Sequence, residues 1–262
     1  MNRLATKFFQ ENPHVAEVLI LSEMEKAQWD ELEKMVPTLS RAWFELSRIV
    51  REDRILFTRD FWLDTIPYQP SVQSSIHHFF HSLDDVAVLV AKIEGIWQPQ
   101  LVYSLQDNSC FFRGLPPAPM DSFLELQEEL DFAIPQDWRT FCTIHNGFGK
   151  LSELGLLKVE EVMPAKRRLM KAIYDADVEV KSGDRWIDPD ALIPFYEAFG
   201  LHSFQCFYVD WYPEDEMGNV YFSGIDYTIS NTHIPSEWND NGAFCNFSQW
   251  LVSYLEGMMI VS

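Results

Sequence analysis

Apolar and polar positions alternate along this chain in patterns that predict a different set of elements in each half. Val15, Val18, Leu19 and Leu21 make an apolar start, and Glu23, Glu25, Asp30, Glu31 and Glu33 form a polar face. That pattern predicts one amphipathic helix from about Pro13 to Met35. Ala42 to Val50 and Arg54 to Ile66 read as strands, with Glu52-Asp53 as the turn between them. Ser71 to Ser82 reads as a short helix opened by Pro70-Ser71. Val86 to Ile93 and Gln98 to Leu105 predict a hairpin turning near Glu94-Gly95. The first part is therefore expected to run α-β-β-α-β-β.

Gly114-Leu115-Pro116-Pro117-Ala118-Pro119 holds four helix-incompatible residues in six positions and is the strongest candidate boundary. It divides an N-terminal region, 1–115, from a second region, 116–262. Beyond it, Ser122-Phe123-Leu124-Glu125 has the pattern of a capping box and predicts a helix that Pro135 ends, with Phe123, Leu126 and Leu130 on one face. Trp138, Phe141, Cys142 and His145 recur at i, i+3, i+4 and i+7, and Asn146-Gly147 suits the end of that second helix. Leu156 to Val162 is short and apolar, and Lys166 to Ala176 is helical in character. Residues 203–211 and 219–229 predict antiparallel strands around the polar tip Pro213 to Gly218. Phe247, Trp250, Leu251, Tyr254, Leu255 and Met258 mark a last helix, with Asn246 as its N-cap.

Composition narrows the function classes. The 262 residues are 47% hydrophobic and 15% aromatic, which is enough apolar surface to fold. The longest apolar runs, such as Val86 to Ala91, fall far short of a membrane span, and no secretory pattern opens the chain. A cytoplasmic, soluble protein is expected. Cys110, Cys142, Cys206 and Cys245 show no CxxC spacing, so buried reduced thiols are expected rather than a zinc or dithiol site. The net charge is −20, and residues 116–262 carry 24 acidic against 9 basic side chains. Such a surface repels phosphate backbones and favours basic partners.

The second region resembles the SUKH superfamily, the group of SMI/KNR-type proteins. The similarity is carried by Ile134-Pro135-Gln136-Asp137-Trp138 with Asn146-Gly147, then Asp215-Glu216-Met217-Gly218-Asn219-Val220-Tyr221, then Phe247-Ser248-Gln249-Trp250-Leu251. It covers about residues 120–258. The resemblance implies an α+β fold, a mostly antiparallel sheet flanked by helices, beside an additional N-terminal α/β region. It also implies a non-enzymatic role, because many bacterial members are immunity proteins that neutralise toxin domains and fungal members act as signalling scaffolds. Residues 1–115 lie outside the resemblance, and Val159 to Ile193 has the character of an insertion.

Candidate chemistry is sparse. His77 and His81 stand one helical turn apart, with Asp84 or Asp85 as a conceivable third ligand, but an amphipathic helix with exposed histidines accounts for them better, and no metal or cofactor is assigned. No Gly-rich phosphate loop or GxSxG elbow is present. The binding candidates are Asp184, Trp186, Asp188, Asp190, Trp211, Tyr212, Glu214, Asp215 and Glu216, with Asp175, Asp177 and Glu179 beside them. Aromatic anchors ringed by charge suit an interface hot spot. The expected function is a protein-binding module of immunity type that masks a basic partner such as a toxin domain, with no nucleic-acid or membrane partner. An adaptor, scaffold or chaperone is the alternative, and a hydrolase has the least support.

Overall fold

Asn12 and Pro13 break the first predicted helix in two. The computed structural model describes residues 1, 3–24, 28–130, 132–151, 153, 155–198 and 202–257. Helix α1 (Arg3–Glu11) ends where the His14 N–H donates to the Asn12 side chain at 3.0 Å. The stretch that follows, half of it β-branched, is strand β1 (Val15–Ile20), and only then comes helix α2 (Trp29–Met35). The expected helix over 13–35 is thus corrected, and Glu25 lies outside the described residues.

The two expected strands over 42–66 are also corrected, to helices α3 (Arg41–Leu46) and α4 (Arg51–Thr65). The Ser40 hydroxyl caps α3 by accepting the Trp43 N–H at 3.2 Å. Helix α4 buries Arg54, Thr58 and Trp62, a helical line that two polar residues hide from any hydropathy pattern. Helix α5 (Pro70–His81) and the hairpin of β2 (Leu83–Ile93) and β3 (Ile96–Leu105) follow the expected order. Glu94 and Gly95 turn the hairpin with φ of 51° and 83°, the left-handed pair a two-residue loop needs.

The chain folds as two compact units. The first comprises Met1–Pro117 and Gly147–Ser152. Its strands run β1-β2-β3, then β4 (Phe111–Gly114), reached from the linker side, and β5 (Phe148–Lys150), all antiparallel. Both faces of β2 are covered, which is why Val86 to Ala91 reads as an unbroken apolar run. One face packs Leu89, Ala91, Val102 and Phe111 against Ala5 and Phe9 of α1. The other holds an aromatic cluster in which Trp62 meets Phe80, Tyr103 and Phe148. Burial pushes the Tyr103 phenol far up, and it accepts the Trp62 indole N–H at 3.3 Å.

The second unit comprises Ala118–Asn146 and Glu153–Ser262. It opens with helices α6 (Met120–Glu129) and α7 (Gln136–Cys142). Helix α6 starts at Met120, two residues before Ser122, and no side chain caps it, so the predicted capping box does not form. Helix α7 ends at Thr143, leaving His145 buried in the loop beyond rather than on the helix. The chain continues through β6 (Gly155–Leu156), α8 (Val162–Ala176), β7 (Lys181–Ser182), β8 (Arg185–Trp186), β9 (Leu192–Ala198), β10 (Ser203–Tyr208), β11 (Asn219–Ser223), β12 (Thr228–Ile229), α9 (Trp238–Asn241) and α10 (Phe247–Glu256).

Strands in this unit order β6-β9-β10-β11-β12-β7-β8, and among the described residues only the β12–β7 pair is parallel. The fold class is therefore α+β. Ala165, Leu169 and Ile173 of α8 pack with Leu192, Phe204, Cys206 and Val220. Side chains alternate across β10, so Phe207 instead meets Phe195 at 4.3 Å and Trp138 of α7 at 5.8 Å. Trp250 of α10 completes that layer, 4.9 Å from Phe195. Asn246 caps α10 by accepting the Gln249 N–H at 2.9 Å, while Met258 lies outside the described residues. Among the described residues no helix is long and apolar enough to cross a membrane.

Candidate functional site

The recurrent residues of the second unit are structural, and they build the end of the sheet where the acidic residues gather. Asp137, in the first turn of α7, accepts the Ser248 N–H at 2.8 Å, the Ser248 hydroxyl at 3.1 Å and the Trp138 N–H at 2.9 Å. It thereby joins the starts of α7 and α10. Burial raises its carboxyl above the ordinary range against those three bonds, and Glu216 adds to the rise. Asn146 accepts the Val159 N–H at 2.8 Å and donates to Glu160 at 2.9 Å. Asn219 accepts from Gln205 at 2.8 Å and donates to the Asn246 carbonyl at 2.9 Å, fixing the segment before α10. Gly218 is required by contact, since a Cβ there would lie 2.4 Å from the Trp211 ring.

That ring is the centre of the face. The Trp211 N–H donates to the Tyr208 carbonyl at 3.0 Å and the Gly218 N–H to the Trp211 carbonyl at 2.9 Å, closing the turn after β10. Trp211 stands edge-on to Trp238 at 5.1 Å. Tyr212 is 53% exposed beside it. Glu214 and Asp215 both hold left-handed backbone, φ 54° and 66°, a strain that non-glycine residues carry only when surroundings impose it. Glu214, Asp215 and Glu216 are all exposed.

Antiparallel pairing sets Leu192 opposite Tyr208, so the segment before β9 arrives at the same end. Asp188 accepts the Asp190 N–H at 2.9 Å and caps a short 3₁₀ turn there. Burial raises the Tyr208 phenol, and the fields of Asp210 and Asp188 raise it further. Glu214 and Glu216 act likewise on the Cys245 thiol, after burial. The structure thus sets Asp188 at the same end of the sheet as Trp211, Tyr212, Glu214, Asp215 and Glu216, while Asp190 lies beside α8.

Asp184 and Trp186 fall elsewhere. Strand register sets Trp186 level with Lys181, Thr228 and Ser223, the end of β11 away from the Gly218 turn. Three strand spacings, about 14 Å, separate β8 from β11. The Lys181 ammonium covers the Trp186 ring at 4.1 Å. Asp175 is ion-paired with Lys171, Asp177 caps α8 in left-handed conformation, and the Asp190 carbonyl accepts the Lys166 ammonium at 2.9 Å. Tyr208, Asp210 and Trp238 belong to the face but are absent from the sequence-based set. Asp210 could have been found as the acidic neighbour of Trp211, whereas Trp238 carries no local signal.

The face offers exposed carboxylates and aromatic edges. His77 and His81 line an open groove between α4 and α5 with Glu52 and Arg59. Asp84 is paired with Arg51 at 3.1 Å and Asp85 with Arg54 at 2.8 Å. Among the described residues no group of three or more His, Cys, Asp or Glu could hold a metal ion. All four cysteines are free thiols; Cys110 is half-buried and the other three are buried.

No curated protein matches the chain. Residues 117–251, just over half of it, match the SMI1 / KNR4 family (SUKH-1). The match takes in α6 and α7, every strand from β5 to β12, and the first half of α10, and the protein belongs to that family.

Proposed function

We propose that the SUKH-type domain is a non-enzymatic, immunity-type module that masks the basic surface of a protein partner such as a toxin domain. One observation carries the reading. Asp188, Glu214, Asp215 and Glu216 share one end of the sheet with Trp211 and Tyr212, in the more acidic half of a chain of net charge −20. Exposed carboxylates steer a cationic partner and set its orientation, and the aromatic edges supply contact area once it docks. Where the partner is a nuclease, these acids stand in for the phosphates its active site binds. Asp190 extends the face, and Asp184 with Trp186 supplies an outlying second contact.

The test is affinity capture of a stoichiometric partner, followed by its affinity for Glu214→Lys/Asp215→Lys/Glu216→Lys. A large loss of affinity supports the face. Undiminished binding places the partner elsewhere on the protein.

A further inference from the structure

Helix α4 presents the wrong side to solvent. It buries Arg54, Thr58 and Trp62, while Phe57 and Phe61 are 65% and 49% exposed and Val50, its N-cap, 63%. A surface helix ordinarily does the reverse. Arg54 holds the rotation. Its guanidinium donates to Asp85 Oδ1 at 2.8 and 3.2 Å, to the Val86 carbonyl at 3.0 Å and to the Ile49 carbonyl at 2.8 Å. Turning the phenylalanines inward would take Arg54 from buried Asp85, leaving it only the Met1 ammonium at 2.8 Å, and would cost those four hydrogen bonds.

Val50, Phe57 and Phe61 fall within about 40° on the helix and form a stripe roughly 16 Å long. Asp53, Asp60 and Asp64 run along its border. Asp60 is paired with Arg59 at 2.7 Å, whereas Asp53 and Asp64 have no ion pair among the described residues. We infer that this face docks an amphipathic helix of a partner protein, with apolar residues set over Val50, Phe57 and Phe61 and Lys or Arg meeting Asp53 and Asp64. Charge decides against a second copy of the chain, which would bring two such acidic borders together. The surface lies outside the family match at 117–251, so it stands or falls independently of the Trp211 face.

The probe is a fluorescent Leu/Lys helical peptide of about 18 residues, five turns, with a shuffled peptide of equal composition as control. Anisotropy titrations use the full chain. The patterned peptide binds at least about tenfold tighter than the shuffled one, and Phe57→Ser/Phe61→Ser removes that difference. Both rings are exposed, so the variant melts as the parent does. Asp53→Asn/Asp64→Asn weakens binding and flattens its salt dependence. Failure of the patterned peptide to bind, equal binding of both peptides, or indifference to the Phe variant overturns the inference. So does a concentration-dependent dimer that Phe57→Ser/Phe61→Ser dissolves.

Discussion

Replacing Asp137 by alanine removes the tie between the starts of α7 and α10. Three donors lose their acceptor: the Ser248 N–H and hydroxyl and the Trp138 N–H. Both amides belong to first helical turns, whose N–H groups have no partner within the helix. Each stranded buried donor costs about 1–3 kcal/mol. The substitution also releases a carboxylate that is costly to bury, so the net loss is about 2–4 kcal/mol. Ser248→Ala removes the hydroxyl bond alone and costs about 1 kcal/mol. The double variant then falls short of additivity by about 1 kcal/mol, because the hydroxyl bond is already gone. Urea unfolding followed by circular dichroism measures the energies, and hydrogen exchange over residues 247–256 localises them. A loss for Asp137→Ala below about 0.5 kcal/mol, or strict additivity with Ser248→Ala, refutes the reasoning.

Burial raises the Asp137 carboxyl above its free value of about 3.9. A raised folded-state value means the folded protein holds the proton more tightly. Its contribution is complete below that free value and is lost as pH rises through the raised one. The advantage of wild type over Asp137→Asn in urea unfolding therefore narrows as pH rises across that interval, and an advantage that widens contradicts the assignment. Gly218→Ala must displace the Trp211 ring, costing about 1–3 kcal/mol and changing the near-ultraviolet circular dichroism; an unchanged spectrum and midpoint would show the contact is relaxed. Glu214→Gln/Glu216→Gln lowers the Cys245 thiol toward its ordinary value. Iodoacetamide then labels Cys245 faster at mildly alkaline pH, and an equal or slower rate counts against the placement of those acids.

Elements whose signals are local were readable in the sequence. The β2–β3 turn rests on Glu94-Gly95, α10 on the Asn246 cap and its apolar period, and α5 on Pro70. Elements defined by distant partners were not. Val15 to Ile20 is a strand because β2, some seventy residues on, pairs with it from Ile93 to Leu89. Helix α4 escaped because its inward line contains Arg54 and Thr58, and a buried arginine is invisible to hydropathy. The family motifs were legible as residues, yet Asp137, Gly218 and Asn219 turn out to hold helices and turns together. Neighbours in sequence also misled at the candidate site. Trp186 is only two residues from Asp188, but strand register sets it level with the far end of β11 and three strands away, while Trp238 joins Trp211 through folding alone.

The most direct test of the central claim is the dissociation constant of the captured partner for wild type and for Asp188→Lys/Asp210→Lys/Glu214→Lys, at low and high salt. These positions are exposed, and because Asp188→Lys also removes the cap on the 3₁₀ turn, the variant's melting midpoint is measured beside its affinity. The account predicts a loss of about a hundredfold at low salt, carried largely by the association rate and shrinking as salt rises. An affinity within about twofold of wild type, where each tenfold is about 1.4 kcal/mol, would contradict it.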